Sequence, residues 1–304
     1  MKRRSAIALM ITIFFIMAIS LSLGIALKQV KEARTEIQKQ NFLLQTNVIL
    51  EDVMNILKNS KELDAVMKEN SQDGLYIFLS QASFIPFEHS GISIILEIQS
   101  ARSMFNINSV VDAKGKVNKK RIDSLINYFS LFGVNVSYVE MLLDNISKSK
   151  EDTYYNTAIF DENPFLFRDY ITSKKHIDDI NSYYTKYYNE NSLSKIDFEK
   201  LFYYSKDTTT KVDLNYATLD TWMLLLGCDA QKAESLSFGA GSYTKVDDLN
   251  LSSEEALSLS HFKTSFYEPF LDIRVEVKEG SLDAKIRFEY DMKTKKGSNF
   301  VYEI

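Results

Sequence analysis

The apolar positions begin with an uninterrupted run near the start of the chain. Residues 6–27 carry no charged side chain, and Lys2, Arg3 and Arg4 stand before them. As a helix, this run of about 22 residues would be roughly 33 Å long, which is enough to cross the apolar core of a bilayer. The three positive charges predict that the N-terminus stays in the cytoplasm. We therefore expect a single membrane-spanning helix.

A cleaved secretory signal is the alternative for this run, because Gly24, Ile25 and Ala26 loosely resemble a signal-peptidase site. The run is longer than the apolar core of about 7 to 15 residues that such signals carry. A helical pattern also continues past Leu27 without a breaker. These two features favour a segment that stays in the membrane.

The helical pattern extends from Lys28 to Lys58, where the sequence contains neither proline nor glycine. Apolar residues recur there in two stripes, the first at Val30, Ala33, Ile37, Leu44 and Val48, and the second at Leu43, Leu50, Met54 and Leu57. Charged residues occupy the other faces, as in an amphipathic helix. We expect one helix of about fifty residues, roughly 75 Å long, half in lipid and half packed on a folded domain.

Several later segments have the 3.6-residue period of helices. They are residues 121–132, 137–146, 174–206 and the pair 213–228 and 230–237 around Gly227. Ser137 stands three residues before Glu140, so we expect Ser137 to be an N-cap in a capping box. A turn expected at Asp73–Gly74 leads into residues 75–79, which predict a strand or a short helix.

Other segments have the composition or the two-residue period of strands. Residues 92–98 are rich in β-branched side chains, and residues 271–277 and 284–290 alternate strictly between apolar and polar positions. A turn over residues 279–281 joins the last two, which predicts a β-hairpin with one buried face. The order along the chain is therefore long helix, strands, helical block and strands.

Composition excludes several classes of function. The formal net charge of −5 supplies no basic surface to neutralise phosphates, so we expect no nucleic-acid binding. Cys228 lies in an apolar run, and the three histidines are far apart. No zinc spacing, phosphate loop or nucleophile elbow occurs, so we expect a protein that is not an enzyme. We expect Trp222 and Phe238 in the core and the lysine-rich residues 293–296 in a solvated loop.

Four short segments, taken in order, resemble the K-type minor pseudopilins of bacterial type II secretion systems. The segments are Arg4–Met10, Ala101–Val110, Leu142–Ile146 with Tyr154–Tyr155, and Lys211–Ala217. They are similar to the family's basic leader with its apolar continuation, its Arg-Phe-Asn-Leu-Asn segment, its Leu-Val-Asp-Trp-Ile-Asp stretch with a following tyrosine, and its Ile-Asn-Val-Asn-Thr-Ala segment. In that family a helical domain interrupts a pilin-like fold.

The resemblance implies an α+β fold, with a long N-terminal pilin-type helix packed on an antiparallel sheet and interrupted by a large, mainly α-helical inserted domain. The implied division is a leader peptide over residues 1–6, a transmembrane helix over 7–27, the pilin-like helix and first strands over 28–108, the helical insertion over 109–262, and the C-terminal strands that complete the sheet over 263–304.

The resemblance also implies cleavage by prepilin peptidase after Ala6, which would leave Ile7 as a methylated N-terminus. Family leaders usually end in glycine, and Ser5 is the alternative site. Ordinary pilins carry Glu at position five of the mature chain, where it pairs with the N-terminal amine of a neighbouring subunit. Position five here is Ile11, and a buried amine without a partner is costly. We therefore expect Ile11 to place this subunit at the end of a filament.

Some K-type members bind calcium through aspartates of the helical domain. The matching stretch here begins at Asp144 but has Ser147 and Ser149 at two of the family's three acidic positions. Calcium takes six to eight oxygen ligands, usually with several carboxylates. We expect no metal and no cofactor; Asp144, Glu151 and Asp152 are the residues that would hold calcium if it bound.

The resemblance predicts a minor pseudopilin at the tip of a type II secretion pseudopilus, which primes assembly and contributes to protein export. The expected partners are other minor pseudopilins through the N-terminal helix, prepilin peptidase, and a secreted substrate or the outer-membrane channel. The protein would cross the inner membrane once, with its C-terminal domain in the periplasm. The alternatives are a minor pilin of a type IV pilus or DNA-uptake pseudopilus, and a membrane-anchored sensor ectodomain.

Overall fold

The computed structural model describes residues 2–69, 72–89, 91–112, 114–147 and 155–303, with side chains from Lys28 onward except His89. The helices are α1 (Lys2–Asn59), α2 (Lys61–Glu69), α3 (Gln72–Ala82), α4 (Lys119–Leu131), α5 (Ser137–Ile146), α6 (Ile159–Glu162), α7 (Lys174–Tyr188), α8 (Phe198–Leu201), α9 (Leu219–Leu226), α10 (Ala230–Ser237) and α11 (Ser253–Leu259). The strands are β1 (Phe84–His89), β2 (Ile92–Ser100), β3 (Phe105–Asn106), β4 (Phe202–Tyr203), β5 (Val212–Asp213), β6 (Thr264–Ser265), β7 (Phe270–Glu279), β8 (Leu282–Asp291) and β9 (Lys296–Glu303).

Five of these strands form an antiparallel sheet in the order β1-β2-β7-β8-β9. Strict alternation gives its central strands one apolar and one charged face, because successive side chains of a strand point to opposite sides. On β7, Ile273 and Val275 are buried and lie opposite Phe288 and Ile286 of β8. The charged residues between them face away from α1 and carry cross-strand ion pairs.

The second half of α1 packs on the apolar face of this sheet. Phe42, Leu50, Val53 and Leu57 of α1 are buried in one cluster with the inward side chains of β7 and β8. Helices α2 and α3 add Leu63, Val66, Leu75 and Leu79 to the same cluster. This part of the molecule, from α1 to β2 together with β7 to β9, is called the body below.

The chain leaves the body after β2 and returns to it at β7, which is the adjacent strand. Ser100 and Leu271 are paired in the sheet, and the backbone N–H of Ala101 donates to the carbonyl of Phe270 at 2.9 Å. The described residues between these two points form a second, mainly helical unit with its own hydrophobic core. The protein is therefore an α+β fold in which a helical insertion interrupts a helix-and-sheet body.

The core of the insertion is rich in aromatic rings. Phe129 of α4 meets Tyr138 of α5 edge to face, with ring centroids 4.9 Å apart, and Tyr138 meets Tyr184 of α7 at 5.3 Å. Trp222 of α9 is fully buried. Edge-to-face pairs of this kind are favourable beyond the area that they bury, and these two pairs connect α4, α5 and α7 into one core.

The long helix, the strand at residues 92–98 and the C-terminal hairpin are confirmed. Helix α1 contains 58 residues. Strands β7 and β8 pair from Glu279↔Leu282 to Phe270↔Asp291, and Gly280 supplies the left-handed backbone of the turn with φ 60°. The helices predicted at residues 121–132 and 137–146 are confirmed as α4 and α5. The helix pair around Gly227 is confirmed as α9 and α10, but the start predicted at residue 213 is wrong. Asp213 belongs to β5, and α9 begins at Leu219 because the side chain of Thr218 caps it by accepting from the backbone N–H of Thr221.

The turn predicted at Asp73–Gly74 is wrong, because both residues lie inside α3. Leu75 and Leu79 are four residues apart and both are buried against the sheet. Their burial stabilises the helical spacing and outweighs the cost of about 1 kcal/mol for a glycine near its start.

The N-cap predicted at Ser137 is also wrong. The residue before α5 is Val136, and the backbone N–H of Ser137 donates to Oδ1 of Asn135 at 3.0 Å. An asparagine two residues upstream therefore takes the role that the capping-box spacing assigned to Ser137.

The helix predicted over residues 174–206 is too long. Helix α7 ends at Tyr188 because Asn189 adopts a left-handed conformation with φ 51°. A 3₁₀ turn over Ser192–Lys195, the short α8 and strand β4 follow.

The surroundings of two side chains differ from those predicted from the sequence. Phe238 follows α10 and is 82% exposed, so its predicted place in the core is wrong. Lys295 is not simply solvated: its Nζ donates to the carbonyl of Lys58 at 3.0 Å and lies 2.5 Å from Oδ1 of Asp64. It connects the end of α1 to the turn between β8 and β9.

The predicted membrane span over residues 7–27 lies outside the residues whose side chains are described. Among the described residues, no helix combines the length and the apolar character that a membrane span requires.

Candidate functional site

Helix α1 has an exposed apolar face over residues 30–48 and a buried apolar face on its opposite side over residues 42–57. At about 100° per residue, the exposed Val30, Ile37, Leu44 and Val48 fall within an arc of about 40°. The centre of this arc lies about 180° from the centre of the buried side chains of α1. These four residues are called the α1 stripe below. A surface helix normally needs only the face that packs on its own core, so a second apolar face indicates a contact with another molecule.

Residues 28–41 are the first part of α1 whose side chains are described, and they pack on no other described element of the body. Residues 28–41 are exposed all round the helix, over roughly 20 Å of its length. Val30 is 66% exposed and Ile37 is 58% exposed in this segment, between charged neighbours such as Lys31 and Glu36. Isolated helices of this length are marginal in water. Within the described residues, the segment is supported mainly by its continuity with the packed half of α1.

A buried ion pair joins the body to the insertion. Arg102 is 5% exposed, and its two Nη atoms donate to both carboxylate oxygens of Glu289 on β8, at 2.6 and 2.8 Å. Tyr203 on β4 of the insertion donates a third hydrogen bond to Glu289. The guanidinium also lies 4.0 Å from the ring centroid of Phe270 and 4.8 Å from that of Tyr203. This set of residues is called the junction cluster.

Opposing effects act on the charges of the junction cluster. Burial alone would lower the pKa of Arg102, but the hydrogen bonds and the negative charge of Glu289 outweigh it and raise that pKa. Burial raises the pKa of Tyr203, so its hydroxyl keeps its proton as a donor to Glu289. The cluster is therefore a paired, hydrogen-bonded charge with no role in proton transfer, and it fixes the orientation of the insertion.

A second buried carboxylate lies beside the junction cluster. Asp213 on β5 donates its backbone N–H to the carbonyl of Arg102 at 2.8 Å. Its carboxylate accepts from the backbone N–H groups of Asn215 and Glu268 at 3.1 and 2.9 Å. Burial raises the pKa of Asp213 to about 7, against the lowering effect of those two hydrogen bonds, and the nearby charge of Glu268 adds to the increase. This carboxyl group is protonated to a large extent near neutral pH.

The calcium candidates are only partly within the described residues. Asp144 is buried, and its carboxylate accepts four hydrogen bonds at 2.7 to 2.9 Å, from the backbone and side chain of Asn156 and of Thr157. All four acceptor positions of the carboxylate thus hold the loop in place, which leaves none directed at an ion. Glu151 and Asp152 lie outside the described residues. The described residues contain no cluster of three or more metal-ligating side chains.

The processing residues Ala6 and Ile7 and the tip determinant Ile11 belong to α1, but their side chains lie outside the described set. Cys228 is half-buried, and burial raises the pKa of its thiol to about 11. A thiol with that pKa is protonated at neutral pH and is a poor nucleophile or metal ligand.

Comparison with known proteins gives a match in structure alone. No protein-family model and no curated protein sequence matches the chain. The fold matches a chain of the crystal structure of the GspK-GspI-GspJ complex from the enterotoxigenic Escherichia coli type 2 secretion system, with a TM-score of 0.50 and 12% sequence identity. The match covers 90% of this chain and 99% of that chain. This chain has a GspK-like fold. The resemblance stated from the sequence is thereby confirmed at the level of the fold.

Three of the four resembling segments lie in the insertion of the GspK-like fold, and in two of them buried asparagines satisfy backbone groups of distant segments. Asn106 donates to the carbonyls of Ser205 and Asp207, and Asn108 exchanges hydrogen bonds with the backbone of Ile171 at 2.7 and 2.9 Å. In the other segment, Asn215 donates to the carbonyls of Tyr243 and Phe266 and accepts from the backbone of Tyr243. Buried asparagines that satisfy backbone groups explain these segments as parts of the structure.

Sequence reasoning missed the role of Glu289 in the GspK-like fold. The residue stands at an outward position of β8, where alternation predicts a solvated side chain. Its partner Arg102 is 187 positions away in the chain. The only available signal was that Arg102 belongs to the segment that resembles the family's entry into the helical domain.

Proposed function

We propose that this protein is a minor pseudopilin that stands at the tip of a type II secretion pseudopilus, primes its assembly and so contributes to protein export. The observation that carries the proposal is the α1 stripe, on the side of the helix away from the body. The GspK-like fold supports it, because the matched chain belongs to a complex of GspK, GspI and GspJ. Other minor pseudopilins are therefore the partners that we propose for the stripe.

The insertion fits a position at the end of the filament. It enters and leaves through adjacent strands, and the junction cluster fixes its orientation to the body. A rigid second domain on one end of a pilin-like subunit would block the stacking of a further subunit on that end. We propose that this end faces the secreted substrate or the outer-membrane channel.

The sequence of the N-terminal run supports the same position. We propose that prepilin peptidase cleaves after Ala6 and that residues 7–27 anchor the protein in the inner membrane. Position five of the mature chain is then Ile11, which has no carboxylate for the amine of an adjacent subunit. A buried amine without a partner is costly. A subunit without that acid therefore fits best at the tip, where no adjacent amine needs a partner.

The experiment compares Ile11→Glu with Ile11→Leu in a secreting strain, with membrane levels of each variant checked by immunoblot. Ile11→Glu should either admit this subunit at positions below the tip or reduce the number of pseudopili, and Ile11→Leu should do neither. Filament number and subunit position that stay unchanged in Ile11→Glu would remove the support for a tip position. Mass spectrometry of the mature protein checks the processing: a sensor ectodomain would keep residues 1–6.

A further inference from the structure

The two outer strands of the sheet are protected to different degrees. An outer strand offers a row of backbone N–H and C=O groups to another chain, and proteins usually protect such edges with proline or charge. β1 contains Pro86 in its middle. β9 has no proline, its charged residues lie at its two ends, and three successive apolar side chains, Phe300, Val301 and Tyr302, are each about half exposed. In the described sheet, β9 is the edge without protection.

A groove of about 410 Å³ separates β9 from α1. It is lined by Leu50, Glu51, Met54, Asn55, Phe300 and Tyr302. The ring of Phe300 stacks on Phe288 at 5.1 Å and on Tyr302 at 6.4 Å, so the sheet itself holds the aromatic wall in place.

Gly297 makes the close approach of α1 and β9 feasible. A Cβ atom at this position would lie 2.8 Å from Phe300 and 3.0 Å from Met54. The groove is therefore a formed feature of the packing between the helix and the edge strand.

The groove continues into the α1 stripe. At about 100° per residue, Glu51 lies on α1 between its buried face and the stripe, and Asn55 lies on the same side of the helix as the stripe. A subunit packed on Leu44 and Val48 would therefore have part of its surface beside the open edge of β9. Glu51 is the one charged side chain in the lining, so the chemistry of the groove suits an apolar segment with a basic residue near Glu51.

We propose that the minor pseudopilin that packs on the α1 stripe also adds an extended segment to the edge of β9. The backbone of that segment pairs with β9, and alternate side chains enter the groove between Met54 and Tyr302. The inference rests on the proposed function, because it names the second contact of the same partner. A contact between helices alone would not add a strand to the edge of the sheet.

Hydrogen–deuterium exchange on the full-length protein in detergent tests the strand addition, with and without the I-type and J-type minor pseudopilins of the same organism. Amides of residues 298–303 should exchange at least about tenfold more slowly in the complex, whereas those of β1 should be unchanged. A complex that forms without slower exchange in β9 would overturn the strand addition and leave the proposed function standing. Absence of any complex would overturn the proposed function itself.

Matched substitutions at the two edges provide a second readout. Val301 lies opposite Arg287, so Val301→Glu adds a charge that the protein's own sheet can pair. We expect this variant to keep its thermal stability and to bind the partners at least tenfold more weakly. Ile85→Glu places the same charge at a similarly exposed position of β1 and should bind as wild type does. An affinity of Val301→Glu within twofold of wild type would contradict the proposal.

Discussion

The insertion and the body bury their apolar residues to different extents. The insertion has its core closed by edge-to-face aromatic pairs and by asparagines that satisfy buried backbone groups. Its most exposed aromatic side chains, Phe165 and Phe238, are separate in the sequence, and scattered apolar residues are normal on protein surfaces. The body, in contrast, leaves the α1 stripe and the edge of β9 open.

The difference indicates which part of the molecule is complete by itself. The insertion has the properties of a self-contained domain, with chain ends that meet at one point of the sheet. Helix α1 of the body has two apolar faces, and the body's own sheet covers only one of them. In the proposed function, the body is the part that other subunits complete, and the insertion is the part that stays outside the filament.

Removing one partner of the junction cluster should have the largest effect on stability. Glu289→Ala leaves the charge of Arg102 buried without a partner, which costs about 3–5 kcal/mol in the free energy of unfolding. Urea unfolding measures this loss. Glu276→Ala is the control, because its ion pairs with Lys278 and Lys285 are more exposed and contribute about 0–1 kcal/mol. Equal losses in both variants would show that the junction is as solvated as the outer face of the sheet.

Truncation of one leucine in each region should separate the closed core from the open helix face. Leu225→Ala in α9 removes a fully buried side chain and should cost about 2–5 kcal/mol. Leu44→Ala on the α1 stripe removes a side chain that is 64% exposed and should change stability by no more than about 0.5 kcal/mol. Thermal or urea unfolding compares the two variants. A large loss in Leu44→Ala would mean that the stripe packs within the protein's own fold.

The pH dependence of stability should show whether the boundary between the two regions excludes water. Asp213 has a folded-state pKa of about 7, above its ordinary value of 3.8. Between these two values the folded chain holds a proton that the unfolded chain releases, so the stabilising contribution is complete below pH 3.8 and is lost as pH rises towards 7. We expect the free energy of unfolding to fall by about 2 kcal/mol from pH 5 to pH 7 through this group.

The comparison for this pH effect is Asp213→Asn, which cannot titrate. Urea unfolding at pH 5, 6 and 7 should give a flatter profile in the variant than in the wild-type protein. Identical profiles would mean that Asp213 keeps an ordinary pKa in the folded protein and that water reaches the junction.

The smallest expected effect concerns the contact between the end of α1 and the sheet. Lys295→Gln removes a cation from the carbonyl of Lys58 and from Asp64, and should cost up to about 1 kcal/mol. Lys293→Gln is the control in the same turn and should have no measurable effect. Differential scanning calorimetry measures the melting temperatures of the two variants. Equal melting temperatures would mean that both lysine side chains are solvated and contribute equally little to stability.

The elements with a regular period could be predicted from the sequence. Strict alternation located β7 and β8, and the absence of proline and glycine from Lys28 to Lys58 located the second half of α1. The predictions failed where another contact outweighed a local signal. Gly74 lies within α3 because Leu75 and Leu79 are buried. At the start of α5, the side chain of Asn135, and not that of Ser137, accepts a hydrogen bond from a backbone N–H group.

Only part of the candidate site could be predicted from the sequence, for a different reason. The sequence contains the apolar residues of the α1 stripe, but it does not reveal which of the two stripes packs on the sheet. The junction cluster depends on the pairing of Arg102 with Glu289, which are distant in sequence, and local patterns carry no information about such a pair. Periodicity supplied the order of the elements, and the resemblance to K-type pseudopilins supplied their arrangement as a helical domain inserted into a pilin-like fold.

The most direct test of the account is the affinity of the full-length protein in detergent for the I-type and J-type pseudopilins proposed as its partners, measured after substitution on the α1 stripe. We predict that Ile37→Ser with Leu44→Ser weakens binding at least about tenfold, or about 1.4 kcal/mol, and leaves the melting temperature unchanged. Ile56→Ser is the matched control, because Ile56 is 67% exposed on α1 but about a quarter turn from the stripe. Wild-type affinity in the stripe variant would contradict the account.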